Sequence, residues 1–139
     1  MSGAATETCV VALVSDVMVG SRLEAAAAAT GCQLRVVSES DGVASVFGSP
    51  VTAAILDLTD PVFPFGEVYG VIRAKAPEAC VVAFFPHVRD DLSAMASSAG
   101  CEMVIPRSRF LTDPAGVMRS ALELARSRRT TEHAEGDAR

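Results

Sequence analysis

The residues that directly follow four short apolar runs of the chain include two carboxylates and an arginine. They are Ser15 and Asp16, Asp57 and Thr59, Pro86 and His87, and Arg107 and Ser108. If the runs are parallel strands, their carboxyl ends meet at one edge of a sheet, where ligands and reactive groups gather. The sequence therefore predicts that Asp16, Asp57 and Arg107 converge. Two interpretations are open: a reactive acidic site, or a self-contained charge cluster in which Arg107 pairs with the carboxylates.

The elements that would position these side chains alternate along the chain. Short, nearly continuous apolar runs are typical of strands buried in a parallel sheet, and here they cover residues 10–14, 34–37, 53–56, 81–85 and 103–105. Helices are predicted between and after them, at residues 21–30, 41–47, 66–75, 90–98 and 113–127. Ser21 and Asp113 are the predicted N-caps of the first and last helix. The alternation predicts an α/β fold with an open five-stranded parallel sheet, doubly wound, with helices on both faces.

Length and composition indicate one globular domain. The 139 residues, half of them hydrophobic, suffice for a single core. We expect the domain at residues 8–127, a short extension at 1–7 and a polar, disordered tail at 128–139. No apolar run reaches the roughly 18 residues of a membrane span, and the start has no basic segment of a secretory signal. A cytoplasmic protein is therefore expected, without a membrane partner.

The charge distribution argues against nucleic acid as a partner. The net charge is −5, and the basic residues concentrate in residues 107–129, which carry six arginines and two acidic residues. A nucleic-acid-binding domain has a basic footprint across the whole domain. This stretch suits either a protein partner or a helix end whose arginines complement the helix dipole.

The four cysteines lack the spacing of a metal or redox site. Cys9, Cys32, Cys80 and Cys101 are far apart, without a Cys-x-x-Cys pair, and each comes just before a predicted strand. They are predicted to be small buried apolar residues. A cluster of thiols at one edge of the sheet is the alternative.

Over roughly residues 8–127, the sequence resembles the receiver (CheY-like) domains of bacterial two-component response regulators. The resemblance rests on Asp57 in Ile55-Leu-Asp-Leu-Thr-Asp-Pro61, on Ser15-Asp16 after the first strand, and on the turn Ser97-Ser-Ala-Gly-Cys101. It implies a flavodoxin-like sheet of order 2-1-3-4-5. It also implies that Asp57 is the phospho-acceptor and that Asp16 and Asp57 hold a magnesium ion. The implied pocket consists of Ser15, Asp16, Thr59, Pro86 and Arg107.

Three departures from the family's pattern indicate a degenerate, or pseudo-receiver, variant. Ser15 replaces one member of the family's acidic pair, and Phe85-Pro86 stands where a hydroxyl residue follows the fourth strand. Arg107 stands in place of a lysine, and Pro106 precedes it where the family's proline follows. One or two carboxylates commonly hold Mg²⁺, so Asp16 and Asp57 are sufficient in number. Ser15 lacks the charge of the acidic residue that it replaces, which predicts that they bind Mg²⁺ only weakly. Asp57 as a simple turn-capping residue is the competing interpretation.

The resemblance implies a signalling module without an output domain, which acts by docking to a histidine kinase, to a downstream signalling protein or to a second copy of itself. The resemblance implies no enzymatic activity beyond self-phosphotransfer onto Asp57. The implied docking face combines the fourth helix, the fifth strand and the fifth predicted helix. Its candidate residues are Arg107, Arg109, Phe110, Arg119 and Arg126.

Three alternatives accompany these expectations. Phe110 can equally pack under the last helix. The protein can be a dimerising scaffold that works without phosphorylation. A nucleotide-binding enzyme on a Rossmann-like sheet is disfavoured, because the turn after the first strand has only Gly20 and no Gly-x-Gly-x-x-Gly motif.

Overall fold

Five parallel strands form the sheet. The structure, a computed structural model, describes the backbone of residues 9–137 and the side chains of residues 9–128. The strands are β1 (Cys9–Leu13), β2 (Gln33–Val37), β3 (Ala53–Asp57), β4 (Cys80–Phe85) and β5 (Met103–Pro106). They are hydrogen-bonded in the order β2-β1-β3-β4-β5, with all neighbours parallel. The predicted sheet and its strand order are confirmed.

Helices follow every strand. They are α1 (Val17–Thr30), α2 (Val43–Val46), α3 (Phe65–Lys75), α4 (Asp90–Ala99), α5 (Arg107–Thr112) and α6 (Pro114–Asp137), and a 3₁₀ turn at Ser40–Gly42 leads into α2. Helix α5 was not predicted. It begins directly after Pro106 of β5, and a helix of six residues is too short to show a recognisable apolar period in the sequence.

The first helix begins four residues earlier than predicted, and Ser21 lies inside it. Its N-cap is Asp16, whose Oδ1 accepts hydrogen bonds from the backbone N–H groups of Met18 at 2.8 Å and Val19 at 3.2 Å. The prediction of Ser21 as the cap is wrong, because an aspartate satisfies the free amides of the first turn equally well. Val17 and Met18, apolar but exposed, concealed this start in the sequence.

The last helix is longer than predicted. Asp113 is confirmed at its start, because the Asp113 Oδ1 accepts a hydrogen bond from the Gly116 N–H at 3.0 Å. The helix continues to Asp137, so most of the segment predicted as a disordered tail is helical. No proline follows Pro114, and a polar composition alone does not end a helix. The predicted extension at residues 1–7 lies outside the described residues.

The sheet buries apolar side chains on both faces, as its continuous apolar strands predicted. Alternate residues of each strand face α1, α5 and α6 on one side and α2 and α3 on the other. The first side includes Val10, Ile55, Val82, Phe84, Leu23, Phe110 and Met118, and the second includes Val11, Leu13, Leu56, Phe63 and Ile72.

Within the part of the chain that the structure describes, no helix is long and apolar enough to cross a membrane.

A charged network at the amino edge of the sheet joins four elements. The Glu102 carboxylate accepts hydrogen bonds from the Val81 N–H of β4 at 2.8 Å, from Arg73 Nη2 of α3 at 2.8 Å and from Arg128 Nη1 of α6 at 2.6 Å. Arg73 also donates to the carbonyl oxygens of Ala79 and Gly100. The network fixes the start of β5 against β4, on the edge opposite to Asp57.

The cysteines lie at or near the amino ends of the strands. Cys9 and Cys80 are buried, as predicted, and Cys32 and Cys101 are partly buried. The Cys32 Sγ lies 3.3 Å from the Met118 Sδ. Burial raises the pKa of Cys80 from 9.0 to about 12 and that of Cys101 to about 11. These thiols therefore behave as small apolar groups.

Native Cys80 is expected to resist alkylation at pH 8. A pKa raised from 9.0 to about 12 lowers its thiolate fraction about a thousandfold, and the thiolate is the nucleophile. Iodoacetamide labelling followed by peptide mass spectrometry measures this, with the same protein in urea as the control. Labelling of native Cys80 as fast as in urea would contradict its burial.

Candidate functional site at the carboxyl edge of the sheet

Arg107 joins the two carboxylates that the sequence placed at this edge. Its Nη1 lies 3.2 Å from the Asp57 Oδ2, and its Nη2 lies 3.5 Å from the Asp16 Oδ2. Arg107 opens α5 directly after β5, Asp57 ends β3, and Asp16 caps the helix after β1. The predicted convergence is confirmed, and the three side chains form the charge cluster that one of the two interpretations anticipated.

Asp57 is almost fully enclosed by hydrogen-bond donors. Its side chain is 8% exposed. Its Oδ1 accepts from the Thr59 N–H at 2.9 Å and from the Thr59 Oγ1 at 2.8 Å, and its Oδ2 accepts from Arg107. Asp57 thus caps the turn that follows β3, in the way aspartates commonly close turns. Only the Oδ2 retains capacity for another partner.

Asp60, which is not among the predicted site residues, forms a second set of hydrogen bonds at this edge. Ser15 donates from its backbone N–H to the Asp60 Oδ2 at 2.7 Å and from its Oγ to the same atom at 2.8 Å. The Asp60 Oδ1 accepts from the Val62 N–H at 3.0 Å. Asp60 is buried, and it uses Ser15 to tie the end of β1 to the loop after β3. The available signal was an extra aspartate after β3 combined with a serine where an acidic residue would follow β1.

Two stacked aromatic rings lie next to the Arg107 guanidinium. The Arg107 Cζ lies 5.6 Å from the centroid of the Phe84 ring, within range of a cation–π contact. Phe84 in turn stacks on Phe110, with centroids 4.4 Å apart and an interplanar angle of 9°. Phe110 is fully buried. Its predicted place on a docking face is therefore wrong, and the alternative, packing within the core, is confirmed. Helix α5 turns this residue toward the sheet.

The other predicted residues lie at the surface around the cluster. Pro86 is partly buried after β4, whereas Thr59 and His87 are exposed. Strand β4 ends in Phe84 and Phe85, so no hydroxyl group stands at its end. Of the arginines assigned to the docking face, Arg109 on α5 and Arg119 and Arg126 on α6 are exposed.

The oxygens of this site do not fit a magnesium ion while Arg107 is in place. A carboxylate oxygen has about two lone pairs. Both Oδ1 atoms already accept two hydrogen bonds, Asp16 from Met18 and Val19 and Asp57 from Thr59. The two Oδ2 atoms are those that face Arg107. Among the described residues, no three His, Cys, Asp or Glu side chains group as metal ligands.

Comparison with known proteins relates this architecture to solved structures. No protein-family model and no curated protein sequence matches the chain. A response regulator receiver domain protein from Clostridium thermocellum aligns with a TM-score of 0.72 at 14% identity, covering 86% of this chain and 97% of the other. The signal receiver domain of an HD domain-containing protein from Pseudomonas fluorescens Pf-5 aligns with a TM-score of 0.76 at 14% identity, covering 94% and 97%.

A structure named as an adenylate cyclase from Rhodopirellula baltica is equally similar in shape. It aligns with a TM-score of 0.78 at 10% identity, covering 92% of this chain and 96% of the other. At such identities the similarity concerns the backbone architecture, and different functions occur on one fold. The resemblance found in the sequence is thus confirmed at the level of the fold: this chain has the fold of response regulator receiver domains.

Proposed function

We propose that the protein is a receiver-like signalling module that acts by docking to another protein, a histidine kinase or a downstream signalling protein. The observation that carries the proposal is the position of Asp57, at the carboxyl end of β3 in a receiver fold and in contact with Arg107. No catalytic role beyond phosphotransfer onto Asp57 is part of the proposal. The fold alone does not assign the function, so the proposal depends on the contacts at this edge.

By the resemblance, Asp57 is the candidate phospho-acceptor, and Asp16 and Asp57 are the candidate ligands of a weakly held Mg²⁺. Both roles require Arg107 to move away from the two Oδ2 atoms. The geometry favours docking by the unmodified protein. The Asp57 Oδ2 is its one oxygen with a lone pair to spare, and it faces Arg107. Phosphorylation would also lack the hydroxyl group that, in the family's pattern, follows β4. We therefore propose that the partner binds the unphosphorylated protein.

The proposed docking face comprises α4, β5 and α6. It carries the exposed arginines Arg119 and Arg126, together with Arg109 on the adjoining α5, and Met95 of α4 is 40% exposed. Arg107 contributes at its margin, whereas Phe110 is excluded by its burial. Arginines beside apolar side chains are enriched at protein interfaces.

A dimerising scaffold is the second candidate function, and a groove on the same face favours it. The groove has a volume of about 370 Å³ and lies between β5 and α6, where it is lined by Met103, Ser120, Glu123, Leu124 and Ser127. Strand β5 is an edge of the sheet, so nothing in the described chain extends the sheet beyond it. For this candidate, we expect a dimer by sedimentation equilibrium that Leu124→Glu converts to a monomer, whereas the exposed Val17→Glu on α1 stays dimeric. A monomeric wild-type protein would exclude it.

The proposal of docking without phosphorylation is tested by NMR with Mg²⁺ and the phosphate mimic beryllofluoride. We expect any amide shifts to stay near Asp16 and Asp57, because the end of β4 offers no hydroxyl group to carry the change outward. Asp57→Asn is the control and should abolish even these. Large shifts across residues 85–110 that vanish in Asp57→Asn would overturn the proposal, since the docking face would then respond to phosphorylation.

A further inference from the structure

We infer that Arg107 takes the place of the divalent cation that the receiver fold implies, so that the site is neutralised by the protein's own side chain. The inference rests on the acidic site proposed above, but not on docking to a partner. The guanidinium reaches both carboxylates at once, through Nη1 to Asp57 and Nη2 to Asp16. One planar cation thus bridges residues at the carboxyl ends of two neighbouring strands, β1 and β3.

A magnesium ion and the Arg107 guanidinium cannot occupy this position together. The two Oδ2 atoms are the carboxylate oxygens with lone pairs to spare, and both point to Arg107. Mg²⁺ binds carboxylate oxygens at about 2.0–2.1 Å. An ion shared by these two oxygens would therefore lie where the guanidinium lies, and the two positive charges would repel each other. Binding of Mg²⁺ requires Arg107 to withdraw.

The surroundings hold Arg107 in place but do not enclose it. Its side chain is 34% exposed, and the cation–π contact with Phe84 adds to the two ion pairs. Asp57, by contrast, is almost completely buried. Without Arg107, its carboxylate would lose its nearest counter-charge in a poorly solvated position, where an unpaired charge is costly. The same loss would free the Oδ2 atoms of both carboxylates for a divalent cation.

The experiment compares Mg²⁺ binding of variants that differ in charge at residue 107. Amide shifts near Asp16 and Asp57 report the binding of MgCl₂ to the wild-type protein, Arg107→Gln, Arg107→Lys and Arg35→Gln. The last variant is the matched control, since it removes one exposed positive charge from β2, away from the site. We expect Arg107→Gln to bind Mg²⁺ at least about tenfold more tightly than the wild-type protein, a change in the range that neighbouring residues exert on metal sites.

The remaining variants define the cause of that gain. Arg107→Lys restores the lysine of the family's pattern, which lacks the planar fork that reaches both carboxylates, so it should bind Mg²⁺ more tightly than the wild-type protein and less tightly than Arg107→Gln. Arg107→Gln combined with Asp57→Asn should lose the gain. A Kd of Arg107→Gln within about twofold of Arg35→Gln would overturn the inference, because twofold is only about 0.4 kcal/mol. If Arg107→Gln gives no dispersed amide spectrum, Arg107→Met takes its place, since methionine is uncharged and makes favourable contacts with aromatic rings such as Phe84. Failure here leaves the docking proposal standing, because that proposal is tested on the wild-type protein and Asp57→Asn.

Discussion

Phe110→Ala is expected to lower the free energy of unfolding by about 3–5 kcal/mol, the usual cost of removing a buried phenyl ring. Phe110 is fully buried and stacks on Phe84, and both belong to the core on the α1 and α6 side of the sheet. In a domain of this size, the melting temperature should fall by more than about 10 °C. Urea and thermal unfolding measure the two quantities.

Phe110→Leu is the matched control, since it retains an apolar side chain and leaves a smaller cavity. It should cost about 1–2 kcal/mol. A loss below about 1 kcal/mol for Phe110→Ala would mean that the ring is not part of the core. In that case the original assignment of Phe110 to the docking face would be restored.

Glu102→Gln is expected to destabilise the fold by about 2 kcal/mol, because it removes the one negative charge of a partly buried network. Glu102 pairs with both Arg73 and Arg128 and accepts the Val81 N–H. Glutamine keeps one acceptor oxygen, but its amide N–H₂ group then faces donors, either both guanidinium groups or Arg73 and the Val81 N–H. The two arginines would then repel each other without a counter-charge.

The control for Glu102→Gln is Arg89→Gln. It breaks the ion pair between Arg89 and Asp91, whose side chains are 49% and 66% exposed. Exposed ion pairs contribute little to stability, so this variant should unfold at the wild-type temperature. Equal losses in the two variants would show that the Glu102 network is no more important than a surface pair.

The sheet and its functional edge could be predicted because both depend on local pattern. Continuous apolar runs fixed the strands, and the carboxyl ends of parallel strands necessarily share an edge, which brought Asp16, Asp57 and Arg107 together. The pattern did not show how those side chains divide their hydrogen bonds. That division decides whether the edge is a reactive site or a neutralised cluster.

The features that escaped prediction depend on contacts between distant residues. Ser15 and Asp60 are 45 residues apart, and Glu102 and Arg73 are 29 apart. No spacing rule links such pairs. Phe110 was ambiguous for a related reason, because a short helix after Pro106 determines which way its ring points. The N-cap of α1 was predicted wrongly for a different reason, since Asp16 and Ser21, five positions apart, are both adequate capping residues.

Arg107 is expected to prevent Asp57 from accepting a phosphoryl group. Incubation with acetyl phosphate and millimolar Mg²⁺, followed by intact-mass spectrometry under mild conditions, measures this. The wild-type protein should stay unmodified, like Asp57→Asn, because the Asp57 Oδ2 is bound to Arg107. A stoichiometric phosphoryl adduct on the wild-type protein that is absent from Asp57→Asn would instead make Asp57 a working phospho-acceptor.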